Sequence, residues 1–276
     1  MGSAGLFGLA LTMAFVGLAA RADDQPFITL YTTDIDSQYE KEIEQQFYWS
    51  TQKPHQAFNR YLSRTEFEYG VTDDFQLSAY FNYEWQRSSP HPDVGPDETW
   101  HATSVSGEAI YRFLNPYFDP IGLAVYFEPT YGDNARELEA KILLQKNFFN
   151  DTLRMAANIN FENTWEREDG HWYTGSAAEF FAGAAYNITP EFSVGVEFNN
   201  ENDFDGLFGN SHNGTNAFFF GPTVSYVGLP FVVRVGTQLQ LPWANAHSNA
   251  PGTIAGGYLT EDERMRVGMR VSMDVP

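Results

Sequence analysis

From Phe75 to Gln86 apolar and polar side chains alternate without a break. Phe75, Leu77, Ala79, Phe81, Tyr83 and Trp85 fall on one side of an extended chain, and Gln76, Ser78, Tyr80, Asn82, Glu84 and Gln86 on the other. Successive side chains of a strand point to opposite faces, so this segment has one oily face and one wet face. The pattern recurs. Ile43, Phe47 and Trp49 alternate with Glu42, Glu44 and Tyr48, and Thr65, Phe67 and Tyr69 with Arg64, Glu66 and Glu68. Leu138, Ala140, Ile142 and Leu144 alternate with Glu137, Glu139 and Lys141, and Met265, Val267, Met269 and Val271 with Arg264, Arg266 and Arg270. Together these runs predict twelve strands between residues 41 and 275.

The connections predict how the strands are joined. Those near 72–74, 114–120, 149–151, 187–190 and 227–230 are short, while 88–99, 199–215 and 242–260 are long and rich in Pro, Gly, Asn and Asp. An even strand number with short turns at one end and longer loops at the other is the signature of a transmembrane antiparallel up-and-down β-barrel, lipid outside and polar groups inside. It puts both termini in the periplasm. A soluble sandwich shares the alternation but needs neither the loop asymmetry nor what precedes the strands. Residues Leu6 to Ala20 are almost wholly apolar or small, and Ala20-Arg21-Ala22 has the small-x-small form of a cleavage site. The organisation expected is a signal peptide at 1–22, a polar periplasmic lead-in at 23–39 and an all-β outer-membrane barrel at 40–276. The expected localisation is the bacterial outer membrane.

Composition agrees. Aromatic residues make up 16% of the chain, with 24 Phe and 15 Tyr, a surplus that a barrel displays to lipid and at both interfaces. There is no cysteine, and a closed barrel pairs its own strand edges without disulfides. The net charge of −20, or −21 once Arg21 leaves with the signal, argues against nucleic acid as a partner.

Candidate chemistry lies on the wet face. Glu66, Glu68, Glu84, Glu108, Arg112, Glu128, Glu139, Lys141, Arg154, Glu162, Glu197, Arg234, Arg266 and Arg270 are expected to line the lumen. Charge so frequent on one face requires water or paired partners. Barrel bore grows with strand number, from filled at eight strands to open at sixteen. Twelve favours a constricted passage over a sealed lumen. All six histidines, at 55, 91, 101, 171, 212 and 247, fall in or beside expected loops, with no i, i+2 or i, i+4 pair to preform a metal site. Asp203-Phe204-Asp205-Gly206 resembles a fragment of a calcium loop without its downstream ligands. No metal or other cofactor is expected. Ser104, Ser106 and Ser225 lie within strands, away from the histidines, so a catalytic triad is not expected either.

Two further runs carry a resemblance. Residues 106–124 (SGEAIYRFLNPYFDPIGLA) and 136–148 (RELEAKILLQKNF), with Trp165-Glu-Arg-Glu, are similar to a family of uncharacterised proteobacterial outer-membrane proteins. Those are distantly like the outer-membrane proteins encoded beside phenol-degradation pathways. The likeness covers about residues 23–240 and implies a barrel and uptake of small molecules, with no catalytic residue. It departs at the end, where Met273-Asp-Val-Pro276 replaces the terminal aromatic read by the barrel-assembly machinery. The first expectation is a porin-like passive channel for a small solute. The second is a closed interaction barrel whose external loops bind a partner, and the third a barrel-embedded hydrolase. Outer-membrane lipid is the expected surrounding, and the oligomeric state is open.

Overall fold

The computed structural model describes residues 25–54, 57–89, 98–168, 170–208, 212–228, 230–246, 254–260 and 262–276. The expected signal peptide, His55, His91 and His247 lie outside the described residues. Eleven long strands follow one another: β1 Lys41–Thr51, β2 Ala57–Thr72, β3 Phe75–Ser89, β4 Glu98–Leu114, β5 Gly122–Gly132, β6 Ala135–Phe148, β7 Leu153–Glu168, β8 His171–Thr189, β9 Phe192–Asp205, β10 His212–Gly228 and β11 Phe231–Gln240. Three two-residue pieces, β12 Asn245–Ala246, β13 Ile254–Ala255 and β14 Tyr258–Leu259, precede the twelfth long strand, β15 Met265–Asp274. Each long strand is antiparallel to its neighbours, and β15 pairs with both β11 and β1, so the sheet closes on itself.

Closure follows from the alternation. On β3, Phe81 is 54% exposed while Tyr80 and Asn82 beside it are 3% and 8% exposed. The outer wall shows Phe, Tyr, Leu, Ile and Val to its surroundings around the whole circuit, which water would penalise and lipid does not. Aromatic rows mark its two rims. Trp49, Tyr61 and Trp85 stand opposite one another across β1, β2 and β3, with ring centroids 6.3 and 5.4 Å apart. At the turn end Phe75 stands opposite Tyr111, at 6.4 Å. The ten residue steps from Phe75 to Trp85 span about 33 Å of strand, or about 25 Å of height at a ~40° tilt, the apolar band of a bilayer.

The strands outrun the sequence pattern at the loop end. Most of 199–215, expected as a loop, is paired strand: β9 continues to Asp205 and β10 begins at His212. Asn199, Asn200, Asn202 and Asp203 are polar on both faces, because this part of the wall rises above the lipid band and carries no alternation to read.

Candidate functional site in the lumen

Residues 25–36, within the expected lead-in, do not trail from the barrel. They form no regular structure, but they run inside it, with Phe27, Leu30, Thr32, Thr33 and Asp34 almost wholly buried. The wall holds this segment mainly by its backbone. The Glu197 carboxylate accepts from the N–H groups of Ile28 (2.7 Å), Thr29 (2.9 Å) and Leu30 (3.2 Å). Three successive N–H groups converging on one anion form a nest. Asn158 accepts from the Tyr31 N–H at 2.8 Å and donates to the Tyr31 carbonyl at 2.9 Å, as a neighbouring strand would. Gln145 accepts from the Thr33 N–H and Gln76 from that of Asp36, both at 2.7 Å. Arg234 donates to the Gln25 carbonyl and Tyr48 to that of Ile28. The contacts visit β3, β6, β7, β9, β11 and β1, a circuit of the inner wall.

Packing completes the seat. Phe27 and Leu30 cluster with inward Ala156, Phe181 and Ala185, and Tyr31 and Ile35 with Ile110, Ala124, Tyr126 and Leu143. These apolar groups on the wet face have no place in a water-filled pore; the segment covers them, at about 1.5–3 kcal/mol for each large side chain. Glycine makes the room. A Cβ at Gly183 would come within 2.7 Å of Leu30 Cδ2 and 2.9 Å of Phe27 Cε1, and one at Gly236 within 2.8 Å of Ile28 Cγ1. The expectation of a periplasmic lead-in missed this because Gln, Thr and Asp were read as solvated, whereas wall amides and carboxylates are their partners.

Beside the segment, charge is paired off. Glu44 lies between Arg234 and Arg270, each at 2.6 Å, with all three side chains at most 2% exposed. Gln46 bridges Glu44 (2.8 Å) and Glu66 (3.0 Å), and Gln76 donates to Glu68 at 2.6 Å. Glu44, Glu66 and Glu68 bring carboxylate oxygens within 4.8 Å of one another, but the arginines and glutamines already occupy that space. Ser78 and Tyr80 donate to Glu108, Arg64 pairs with Glu128 at 2.6 Å, and Arg112 reaches Asp74 at 3.3 Å. Arg154 pairs with Asp34 of the segment at 3.3 Å.

Towards the loop end the lumen is different. Lys141, its Nζ over the rings of Tyr31 (4.4 Å) and Tyr126 (4.2 Å), reaches Glu139 at 3.1 Å. Above it, part-exposed Glu137, Glu139, Glu162 and Glu179 face inward from β6 to β8. On the facing side are Arg60, paired with Glu84 at 2.6 Å, and Arg266, paired with Glu201 (2.9 Å) and Glu263 (2.7 Å). Glu201 was missed because its stretch reads as loop. Within the last long connection, Leu259 is buried against Phe219 and Ala217 at this end, with Ala244 and Ala246 packed beside them. A hollow of about 530 Å³ remains beside it, lined by Lys53, Tyr258 and Arg264 among others. Burial tends to raise the Glu263 carboxyl, but the charge and hydrogen bonds of Arg266 outweigh it and hold the group at about 2.

All the residues expected to line the lumen turn inward, but the structure divides them: Glu66, Glu68, Glu108, Arg112, Glu128, Arg154, Glu197, Arg234 and Arg270 meet the segment or groups packed beside it, Glu84, Glu139, Glu162 and Arg266 border the wetter part, and Lys141 joins the two through Tyr31 and Glu139. Ser106 bonds Thr130 at 2.7 Å and Asn82 at 2.9 Å, and exposed His101 bonds Tyr83 on the outer wall at 3.1 Å. Neither arrangement is that of a nucleophile and base.

A closed twelve-stranded wall of this kind defines the class: the fold is that of outer-membrane barrels. It is shared with the COG4313 outer membrane channel from Pseudomonas putida F1 (TM-score 0.60, 11% identity, 92% of this chain and 99% of that one). The beta domain of the Bordetella autotransporter BrkA (0.51, 6%, 86% and 99%) and the KdgM porin (0.50, 10%, 85% and 99%) are similar too. At such identities the likeness is one of fold. Over residues 19–274 the chain belongs to the family of unknown function DUF6662. No curated protein matches it.

Proposed function

We propose that this barrel is a narrow passive channel for a small solute, with residues 25–36 as its constriction. The observation that carries the reading is the segment's circuit of the inner wall, which narrows the lumen beside it and leaves the wetter cluster of charge towards the loop end. The fold is one that porins and channels use, and the likeness of residues 23–240 to outer-membrane proteins encoded beside phenol-degradation pathways suits small-molecule uptake. The competing reading is a sealed barrel whose loops bind a partner, and the density of bonds around Glu197 and Asn158 speaks for it. Planar-bilayer recording separates the two. The full chain should give small steps. A variant lacking residues 25–36, and Glu197→Ala, which frees three N–H contacts, should give steps several-fold larger. Silence from the full chain at every voltage removes the channel, and unchanged steps in both variants remove the segment as constriction.

A further inference from the structure

The wet part of the lumen carries an imbalance. Strand register sets Glu128 opposite Glu139 and Glu139 opposite Glu162, and sets Glu179 opposite Glu201. Like charges directly opposite in a sheet destabilise it unless something sits between them. Arg64 answers Glu128, Lys141 answers Glu139 and Arg266 answers Glu201. The side chains of Glu137 and Glu162 have no ion pair or hydrogen bond among the described residues, and that of Glu179 has the Asn160 amide as its partner, at 3.2 Å. Asn160 supplies an independent observation. It stands between Lys141 and Glu179 in the register and is 1% exposed. Its Nδ2 donates to Glu179, but its Oδ1 has no donor among the described residues. Reversing the amide would press its carbonyl against the Glu179 carboxylate, so the orphaned atom is an acceptor. A buried acceptor and three under-partnered carboxylates on one arc lack a donor-bearing cation.

We propose that the arc of Glu137, Glu162, Glu179 and the Asn160 carbonyl binds an organic cation bearing ammonium groups. Spacing selects this class over a bare metal ion. Glu137 stands opposite Thr164 and Glu162 opposite Ala177, so the neighbouring carboxylates of the arc, 137 with 162 and 162 with 179, are diagonal pairs about 7–8 Å apart. Among the described residues, the trio whose oxygens come within 4.8 Å is Glu44, Glu66 and Glu68, bonded by Arg234, Arg270, Gln46 and Gln76, not this arc. Ammonium groups strung along a flexible chain reach carboxylates at such spacings through separate charge-assisted hydrogen bonds. The site deepens the channel reading by naming its solute class, yet binding at equilibrium needs no conduction.

The test is titration calorimetry of spermidine into the folded full-length barrel in detergent, at about 0.15 M salt so that diffuse attraction is screened. Saturable binding is expected, weakened at least tenfold by Glu162→Gln combined with Glu179→Gln. Asn160→Leu should weaken it several-fold, Asn160→Asp should preserve it, and exposed Glu191→Gln should leave it unchanged. Absence of saturable heat, an unaltered affinity in the double variant, or equal displacement by Mg²⁺ at matched concentration would each overturn the site. Current steps without spermidine binding would sink the site and leave the channel; binding without steps would do the reverse.

Discussion

The two halves of the lumen are built from the same residue types and reach opposite states. Beside the segment the central carboxylates and amides have named donors: Glu44 has two arginines, Glu197 three N–H groups, Asn158 a complete peptide unit, although Gln25 and Asn199 each keep a buried oxygen without a partner among the described residues. In the loop-end half, Glu137 and Glu162 have none among the described residues, and buried Asn160 keeps an orphaned oxygen. Burial requires partners where water is excluded. The paired half is therefore a structural core that happens to be polar. The unpaired half stays tolerable through water, a bound proton or a ligand, and that is where a solute has work to find.

Removing charge should separate the halves by size of effect. Glu44→Ala leaves two guanidinium groups buried at most 2% exposed without their counter-ion. The expected loss is about 3–5 kcal/mol in urea unfolding of the reconstituted barrel. A loss under about 1 kcal/mol would mean that water already enters beside the segment, and the contrast would fail.

The mouth lies between these extremes. Glu263, held at about 2 chiefly by Arg266, has a folded pKa below its unfolded one near 4.3–4.5. Its stabilisation is complete above about pH 5 and is lost as pH falls towards 2. Arg266 keeps Glu201 as a second partner, so the effect of Glu263→Gln at neutral pH should be about 1–2 kcal/mol rather than the full shift. Comparing unfolding midpoints of the two proteins from pH 6 down to 2.5 checks this. The gap should shrink as acid is added, and a gap independent of pH would contradict it.

How legible these regions were follows from what constrains them. Lipid imposes a strict period of two on each strand, so the outer wall from Phe75 to Trp85 could be read residue by residue. The loop-end wall above the lipid has no such constraint, and Glu201 was lost with it. The segment's seat was written in exceptions: glycine at inward positions 183 and 236, and apolar Ile110, Leu143 and Phe181 on a face meant to be wet. Each breaks the polar-inside rule, and together they mark where an internal partner must lie. Nothing in the sequence says which stretch supplies it, because Thr29 meets Glu197 across 168 residues.

The smallest effect is the most discriminating. Glu162→Gln removes a charge that has no partner to lose and sits directly opposite Glu139. Its neutral amide relieves that repulsion and can donate across the strand pair. The variant should therefore match the parent within about 0.5 kcal/mol or exceed it, in the same unfolding assay that registers Glu44→Ala. A loss of 2 kcal/mol or more would mean that Glu162 is bonded after all, making the upper lumen a second structural core and leaving the arc no vacancy for a cation.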